Sequence, residues 1–87
     1  MTRRYRLEVL AEDEGLVDRS SNASFTLASR TSENGVAVSV LETLDEALAA
    51  QWTQILDDND RAYVSRVLEG DDVISDQSVR SPSWSAR

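Results

Sequence analysis

The chain has 87 residues, with 16 acidic and 9 basic side chains, a formal net charge of −7 and a sequence pI near 4.4. It contains neither cysteine nor histidine, which excludes disulfides, thiolate metal sites, cysteine nucleophiles and the imidazole general base. The length predicts a single domain, and the acidic balance disfavours binding to nucleic acid or to anionic membrane surfaces.

The first predicted element is a β-strand from Arg3 to Ala11, in which apolar and charged side chains alternate. An acidic turn over residues 12–15 is expected to close it. Polar residues from 18 to 22 then predict a loop. The apolar side chains that share one face of the strand are Tyr5, Leu7 and Val9.

A β-hairpin is predicted around Asn34-Gly35, because this dipeptide readily takes the positive φ angles of a two-residue type I′ turn. Such a turn fixes the register of the two strands. The expected pairs are Glu33 with Val36, Thr31 with Val38, Ser29 with Val40 and Leu27 with Glu42. Directly paired residues lie on the same face of a sheet, so one face of the hairpin is apolar. Its members are Phe25, Leu27, Val36, Val38 and Val40.

An amphipathic helix is predicted directly after the hairpin. Thr43 is the expected N-cap, and Glu46 three residues later completes a capping box. Apolar residues recur at three- and four-residue spacing and form one stripe. The members of the stripe are Leu44, Ala47, Leu48, Trp52, Ile55 and Leu56. We expect this stripe to cover the valine face of the hairpin, and Trp52→Ala to be the most destabilising substitution.

The helix is expected to end at the polar residues 57–60. Residues 61–69 fit two structures. Apolar i,i+4 pairs and the following Gly70 favour a short helix, whereas tyrosine and valine favour a strand. We predict the helix, with the strand as the alternative. From Ser75 onward the composition is rich in serine, which predicts a flexible tail that carries Trp84.

Together these elements predict an α+β fold. It consists of a small antiparallel three-stranded sheet, one main amphipathic helix packed on one face, a short second helix and a flexible C-terminal tail. The predicted domain organisation is a single α+β domain over residues 1–74, followed by a serine-rich tail over residues 75–87.

The sequence offers no recognisable catalytic or metal-binding motif. Asp58, Asp60 and Glu69 fall at positions 1, 3 and 12 of a calcium-binding EF-hand loop, but Ala62 and Tyr63 occupy positions that require a ligand and a glycine. The serines have no histidine or lysine to activate them. We therefore predict a protein that is not an enzyme and that binds no metal and no cofactor.

The segment from Glu42 to Leu48, with the sequence ETLDEAL, resembles the T-x-x-E-A-L segment that opens the helix after a small sheet in HicB-type antitoxin domains. The proline- and glycine-rich segment that this family has before the helix is absent here. No DNA-binding appendage is evident either, so the sequence does not assign the chain to the family.

We predict a non-enzymatic acidic binding module that neutralises a basic, nucleic-acid-binding protein partner by presenting carboxylates where phosphates would lie. Antitoxins, immunity proteins and phage-encoded inhibitors of a host defence complex are proteins of this kind. Trp84 is a candidate anchor for a pocket of the partner. The candidate contact residues are Glu42, Asp45, Glu46, Asp57, Asp58, Asp60, Glu69, Asp71, Asp72 and Trp84.

Two alternatives remain open at this point. The first is a structural or assembly subunit that forms a homodimer through a sheet edge. The second is a carrier or precursor whose tail is the functional part. A cytoplasmic location is expected for the acidic binding module and for both alternatives. No apolar run approaches the roughly 20 residues of a membrane-spanning helix, and no signal-peptide core is evident.

Overall fold

The computed structural model describes residues 2–20, 26–33, 35–82 and 84, with side chains at all of these positions except 18–20 and 26–33. All five strands join one antiparallel sheet in the order β2-β3-β1-β4-β5. The elements in chain order are β1 (Arg3–Leu10), a short 3-10 helix (Ala11–Asp13), α1 (Glu14–Ser20), β2 (Thr26–Glu33), β3 (Val36–Thr43), α2 (Glu46–Asp58), β4 (Tyr63–Glu69) and β5 (Asp72–Val79). The protein is α+β, but the prediction of a three-stranded sheet is wrong because β4 and β5 add two strands.

The first strand, β1, lies at the centre of the sheet and pairs with β3 on one side and with β4 on the other. Leu7 of β1 lies opposite Leu41 of β3 and Ser65 of β4. Because directly paired residues share a face, this register sets the composition of both faces across the three inner strands. A slip of one residue would move every apolar side chain of a strand to the other face.

The two helices cover one face of the sheet, which we call the helix-covered face. Trp52 and Leu56 of α2 and Val17 of α1 are fully buried there, so the expectation that Trp52 belongs to the core is confirmed. The sheet residues that pack against them are Leu7, Val9, Leu41 and Tyr63. This cluster is the main core of the protein.

The opposite face of the sheet carries a second apolar cluster, which we call the Trp84 cluster. Val38 and Val64 are fully buried in it, and the ring of Trp84 packs against them with only 4% of its surface exposed. The partly buried residues around them are Leu10, Val36 and Ala62. The sheet is therefore covered on both faces at this end.

The rest of the opposite face carries charged side chains together with Val40 and Leu68, which lie opposite Glu8 and Arg4. Arg66 forms an ion pair with Glu8, which lies opposite Val64 in the neighbouring strand. Arg6 lies opposite Glu42 and pairs with it at 3.0 Å between Nη2 and Oε2. These ion pairs neutralise the charged side chains that the inner strands place on this face, while the alternate side chains of the same strands lie in the core.

The prediction that α2 covers the valine face of the hairpin is wrong. Val38 lies opposite Leu10 on the face that carries Trp84, whereas Leu41 lies opposite Leu7 beneath α2. The pattern within the hairpin places Leu41 on its polar side. When β3 pairs with β1, however, the apolar face of β1 lies next to Leu41. The helices bury the apolar surface that β1 and Leu41 form together.

The hairpin turn is confirmed in its register. Glu33 lies opposite Val36, which leaves two residues in the turn. Gly35 has φ of 77°, a conformation that glycine adopts without steric penalty. Its predicted companion, Asn34, lies outside the described residues.

The far end of the hairpin differs from the prediction. An irregularity between Leu27 and Ser29 shifts the register, so Leu27 lies opposite Leu41 and not opposite Glu42. Such an extra residue is typical of a β-bulge, which the alternation of side chains does not reveal. Phe25, which was expected on the apolar face, lies outside the described residues.

The main helix begins later than its capping box predicts. Asp45 is the N-cap of α2, and its Oδ1 accepts hydrogen bonds from the backbone N–H groups of Ala47 at 2.9 Å and Leu48 at 3.4 Å. Thr43, the predicted N-cap, instead accepts a hydrogen bond from the N–H of Asp45 at 3.0 Å. Both Thr43 and Asp45 are residue types that cap helices, and it is the carboxylate of Asp45 that accepts the backbone N–H groups of the first helical turn.

The predicted second helix over residues 61–69 is wrong, because β4 forms there, as the tyrosine and valines favour. The predicted flexible tail is also wrong over residues 75–79, since β5 pairs with β4 from Asp72 to Val79, with one register irregularity at Ile74. The predicted domain boundary after residue 74 falls inside β5. The largely polar sequence of β5 suits an edge strand, and Gly70 with φ of 62° permits the turn that precedes it.

Helical structure occupies residues 11–20, where a turn and a loop were predicted. Contacts of acidic side chains attach this part of the chain to the body. Ser39 of β3 is fully buried, and its hydroxyl donates a hydrogen bond of 2.7 Å to Glu14. Asp13 is buried and pairs with Arg61 at 3.0 Å.

Candidate protein-binding surface

The predicted acidic contact residues divide between the two ends of α2 and the turns beside them. The 13 residues of α2 give it a length of about 20 Å. The α2 N-end group consists of Glu42, Asp45, Glu46, Glu69, Asp71 and Asp72. The α2 C-end group consists of Asp57, Asp58 and Asp60.

Arg4 connects the members of the α2 N-end group. Its Nη2 donates a hydrogen bond of 3.1 Å to the carbonyl of Gly70 in the β4–β5 turn, and its Nη1 lies 3.9 Å from Oε1 of Glu42. The hydroxyl of Tyr5 lies 3.5 Å from Oε2 of Glu46 in the first turn of α2. The end of the sheet, the start of α2 and the β4–β5 turn therefore lie together.

Asp57 has the most contacts of the α2 C-end group. It accepts hydrogen bonds from the hydroxyl of Tyr63 at 3.1 Å and from Nη1 of Arg80 at 2.8 Å. Burial, followed by the bond to Asp57, raises the pKa of Tyr63 above its ordinary value. The bond to Asp57 raises the pKa of Arg80 as well. The carboxylate of Asp57 is thus engaged by side chains of its own chain, although it is 42% exposed.

The other two acids of the α2 C-end group are exposed. Asp58 accepts a hydrogen bond of 2.8 Å from the side-chain amide of Gln54, one turn earlier in α2. Asp60 has φ of 55°, in the left-handed region that aspartate and asparagine adopt more readily than most residues. Both carboxylates face solvent at the end of the helix.

Arginine pairing separates the predicted acids into two kinds. Every arginine whose side chain the structure describes forms an ion pair with a carboxylate. The pairs are Arg3 with Glu69, Arg4 and Arg6 with Glu42, Arg61 with Glu12 and Asp13, Arg66 with Glu8 and Asp76, and Arg80 with Asp57. Within the described part of the chain, the predicted acids that are exposed and form no ion pair with arginine are Asp45, Glu46, Asp58, Asp60, Asp71 and Asp72.

An open cavity of about 420 Å³ lies beside the α2 N-end group. Leu44 lines it with 65% of its surface exposed, because α2 begins two residues later and leaves this side chain outside the predicted apolar stripe. The remaining lining residues are Arg4, Glu42, Thr43 and Asp45. This end of the molecule therefore offers an apolar contact surrounded by charged and polar groups.

Trp84, the remaining predicted contact residue, lies on the face of the sheet opposite α2. Its ring is buried in the Trp84 cluster, and Pro82 just before it is buried as well. In this conformation the ring contacts the protein's own sheet.

The ion pairs of the arginines are the feature of this surface that sequence reasoning missed. Arg4 and Arg6 alternate with apolar residues in β1, so the sequence does show that they share a face. It does not show which acids lie across from them, because Arg6 and Glu42 are separated by 36 residues and meet only through the pairing of β1 with β3.

Among the residues that the structure describes, no group of three or more His, Cys, Asp or Glu side chains is arranged to hold a metal ion. The described helices include none with the length and apolar character needed to cross a membrane. The chain matches no protein-family model, no curated protein and no solved structure. Its function is therefore inferred from its own residues.

Proposed function

We propose that the protein is a non-enzymatic acidic binding module that neutralises a basic, nucleic-acid-binding protein. The observation that supports this proposal is the division of the charges. The described arginines are engaged with carboxylates of the same chain, so the exposed acids that have no arginine partner carry the excess negative charge.

The arrangement of these acids suits a partner whose basic groove is elongated. Asp58 and Asp60 lie at one end of α2, and the α2 N-end group lies about 20 Å away at the other. A nucleic-acid-binding groove presents arginine and lysine side chains over such distances to contact successive phosphates. Carboxylates at both ends of the helix give the module a negative field along one side, which steers and orients a basic partner.

Capture of the partner, followed by measured affinities, tests the proposal. The tagged chain is used to isolate binding proteins from its native host, and the protein bound most strongly is purified. We expect a basic protein whose affinity falls as salt concentration rises, because exposed charges are screened. We also expect the chain to displace nucleic acid from that partner.

Charge-neutralising variants identify the contact. The variant Glu46→Gln, Asp71→Asn, Asp72→Asn raises the net charge by three and removes no ion pair with arginine. Its matched control raises the net charge by the same amount at exposed neutral positions outside α2 and away from the α2 N-end group, with Ala37→Lys, Gln77→Lys and Ser78→Lys. We expect a loss of affinity of about tenfold or more for the first variant and a much smaller loss for the control. Equal affinities for the two variants would contradict a contact at the α2 N-end group.

A second candidate function, assembly through a sheet edge, is favoured by the exposure of β5. This edge strand is exposed along almost its entire length, and Val73 and Ile74 expose about half of their surfaces, 52% and 49%. An exposed edge strand is a template for pairing with another chain. Light scattering tests this candidate, because Ile74→Lys should convert an edge-paired dimer to a monomer and leave an existing monomer unchanged.

A further inference from the structure

Between β5 and Trp84 the chain passes through an uncommon backbone conformation. Arg80 has φ of 62° and Ser81 has φ of 47°. Both angles lie in the left-handed region, which is unfavourable for residues with a Cβ atom. Ser81 also precedes Pro82, and the proline ring disfavours helical angles in the residue before it. We call Arg80 and Ser81 the hinge.

Contacts on both sides keep this strained hinge in place. Nη1 of Arg80 donates to Oδ1 of Asp57 at 2.8 Å and to the carbonyl of Arg61 at 3.1 Å. Beyond the hinge, Trp84 is buried in the Trp84 cluster. Burial of the indole ring is thus the gain that offsets an unfavourable backbone conformation.

We propose that two copies of the chain form a dimer by exchanging the segment beyond the hinge, so that Trp84 of each copy is bound in the Trp84 cluster of the other. In the exchanged form the hinge is extended and both left-handed residues relax. The apolar contacts of Trp84 are the same in the two forms. The equilibrium then depends on chain concentration, on the entropy of association, on the hydrogen bonds of Arg80 and on the strain that the hinge releases.

A second copy is the occupant because the receiving surface is already shaped around this side chain. Val38 and Val64 are buried beneath an indole ring, and the ring of another copy makes the same contacts. When the hinge is extended, three residues span about 10 Å. This distance carries the Trp84 ring away from the Trp84 cluster of its own chain. Any other ligand would have to displace Trp84 and supply a group of the same shape.

Salt separates this dimer from the binding of a basic partner. Each copy carries a net charge of −7, so two copies repel each other. Screening therefore strengthens the exchanged dimer, whereas it weakens an attraction between opposite charges. Formation of the exchanged dimer does not depend on the binding of a basic partner.

Size-exclusion chromatography with light scattering tests the exchange on two variants at one position. Ser81 is exposed, and the structure gives its side chain no hydrogen bond or ion pair. Proline cannot adopt the observed φ, so Ser81→Pro should be a dimer over the concentration range in which the natural chain begins to associate. Glycine adopts this φ freely, so Ser81→Gly should remain monomeric. For Ser81→Gly we expect the dissociation constant of the dimer to be about a hundredfold higher than for the natural chain, because each of the two hinges contributes a factor of about ten.

A third variant identifies the exchanged group. Adding Trp84→Ala to Ser81→Pro should return the chain to a monomer, because the extended hinge then carries no side chain that fills the partner's cluster. Circular dichroism first establishes that each variant is folded, and deletion of Ser81 replaces Ser81→Pro should that variant unfold, since a shortened hinge also prevents the closed form. A folded monomer for the proline or deletion variant would overturn the proposal. A dimer that persists without Trp84 would overturn it as well and would support edge pairing of β5.

Discussion

The hydroxyl of Tyr63 lies 3.1 Å from Oδ1 of Asp57, the carboxylate that also binds Arg80. Burial and this contact raise the pKa of Tyr63. The folded chain therefore keeps the phenolic proton at pH values where the unfolded chain has lost it. The stabilisation is complete below pH of about 10, the ordinary pKa of tyrosine, and is lost as the pH rises through the raised value.

Tyr63→Phe should remove this pH dependence. We expect the variant to be about 1 kcal/mol less stable than the natural chain near neutral pH, because a hydrogen bond is lost. As the pH rises above about 10, the free energy of unfolding should fall more steeply for the natural chain than for the variant. Urea denaturation over this range measures both slopes. Parallel curves would show that Tyr63 does not contribute.

Asp45→Ala should destabilise the protein by about 1 kcal/mol, because the first turn of α2 loses its capping carboxylate. Thr43→Ala should cost less, since it removes only the acceptor for the N–H of Asp45. Asp45→Asn is the control, because asparagine also caps helices well. Urea denaturation compares the three variants. A larger effect at Thr43 than at Asp45 would mean that the threonine is the N-cap in solution.

Trp52→Ala should cost about 3–5 kcal/mol, since the ring is fully buried between α2 and the sheet and its removal leaves a cavity. A loss of this size approaches the whole stability of a small domain. Leu44→Ala is the matched control, because this apolar residue lies two positions before α2 and is largely exposed. Its effect should lie within about 0.5 kcal/mol. Similar losses in thermal stability for the two variants would contradict the burial.

The parts of the fold that local patterns predict are the central strand, the hairpin turn and the apolar side of α2. Leu7 and Val9 are buried as the alternation in β1 predicts, and Gly35 forms the turn. Trp52 and Leu56 are buried as the helical spacing predicts. Each of these inferences depends on residues that are close in the sequence.

The parts that could not be predicted depend on contacts between distant residues. The face that α2 covers is decided by Leu7 lying opposite Leu41, a pairing that no pattern within the hairpin reveals. The last strand, β5, is largely polar because it lies at the sheet edge, so its composition resembles that of a loop. Among the candidate contact residues, the sequence shows which side chains are acidic. Only the pairing of strands shows that arginines neutralise Glu42 and Glu69.

Breaking the ion pair of Glu8 with Arg66 should cost far more stability than breaking that of Arg3 with Glu69. The side chains of the first pair are 13% and 17% exposed, and those of the second are 56% and 32% exposed. Glu8→Gln leaves the largely buried guanidinium of Arg66 with Asp76 as its remaining carboxylate, so we expect a loss of about 2 kcal/mol. Glu69→Gln leaves a solvated arginine and should cost less than about 1 kcal/mol. Urea denaturation of the two variants measures the difference.

A double-mutant cycle separates the attraction within the buried pair from the cost of burying its charges. Arg66 also lies 3.4 Å from Asp76, so truncating the arginine leaves two carboxylates without their partner. Replacing both Glu8 and Arg66 by methionine removes both buried charges at similar volume. We therefore expect the double variant to be more stable than either single methionine variant, since well-packed apolar residues commonly substitute for buried ion pairs without loss. Additive losses in the cycle would show that the two side chains are solvated independently, and that the opposite face of the sheet is open to water between them.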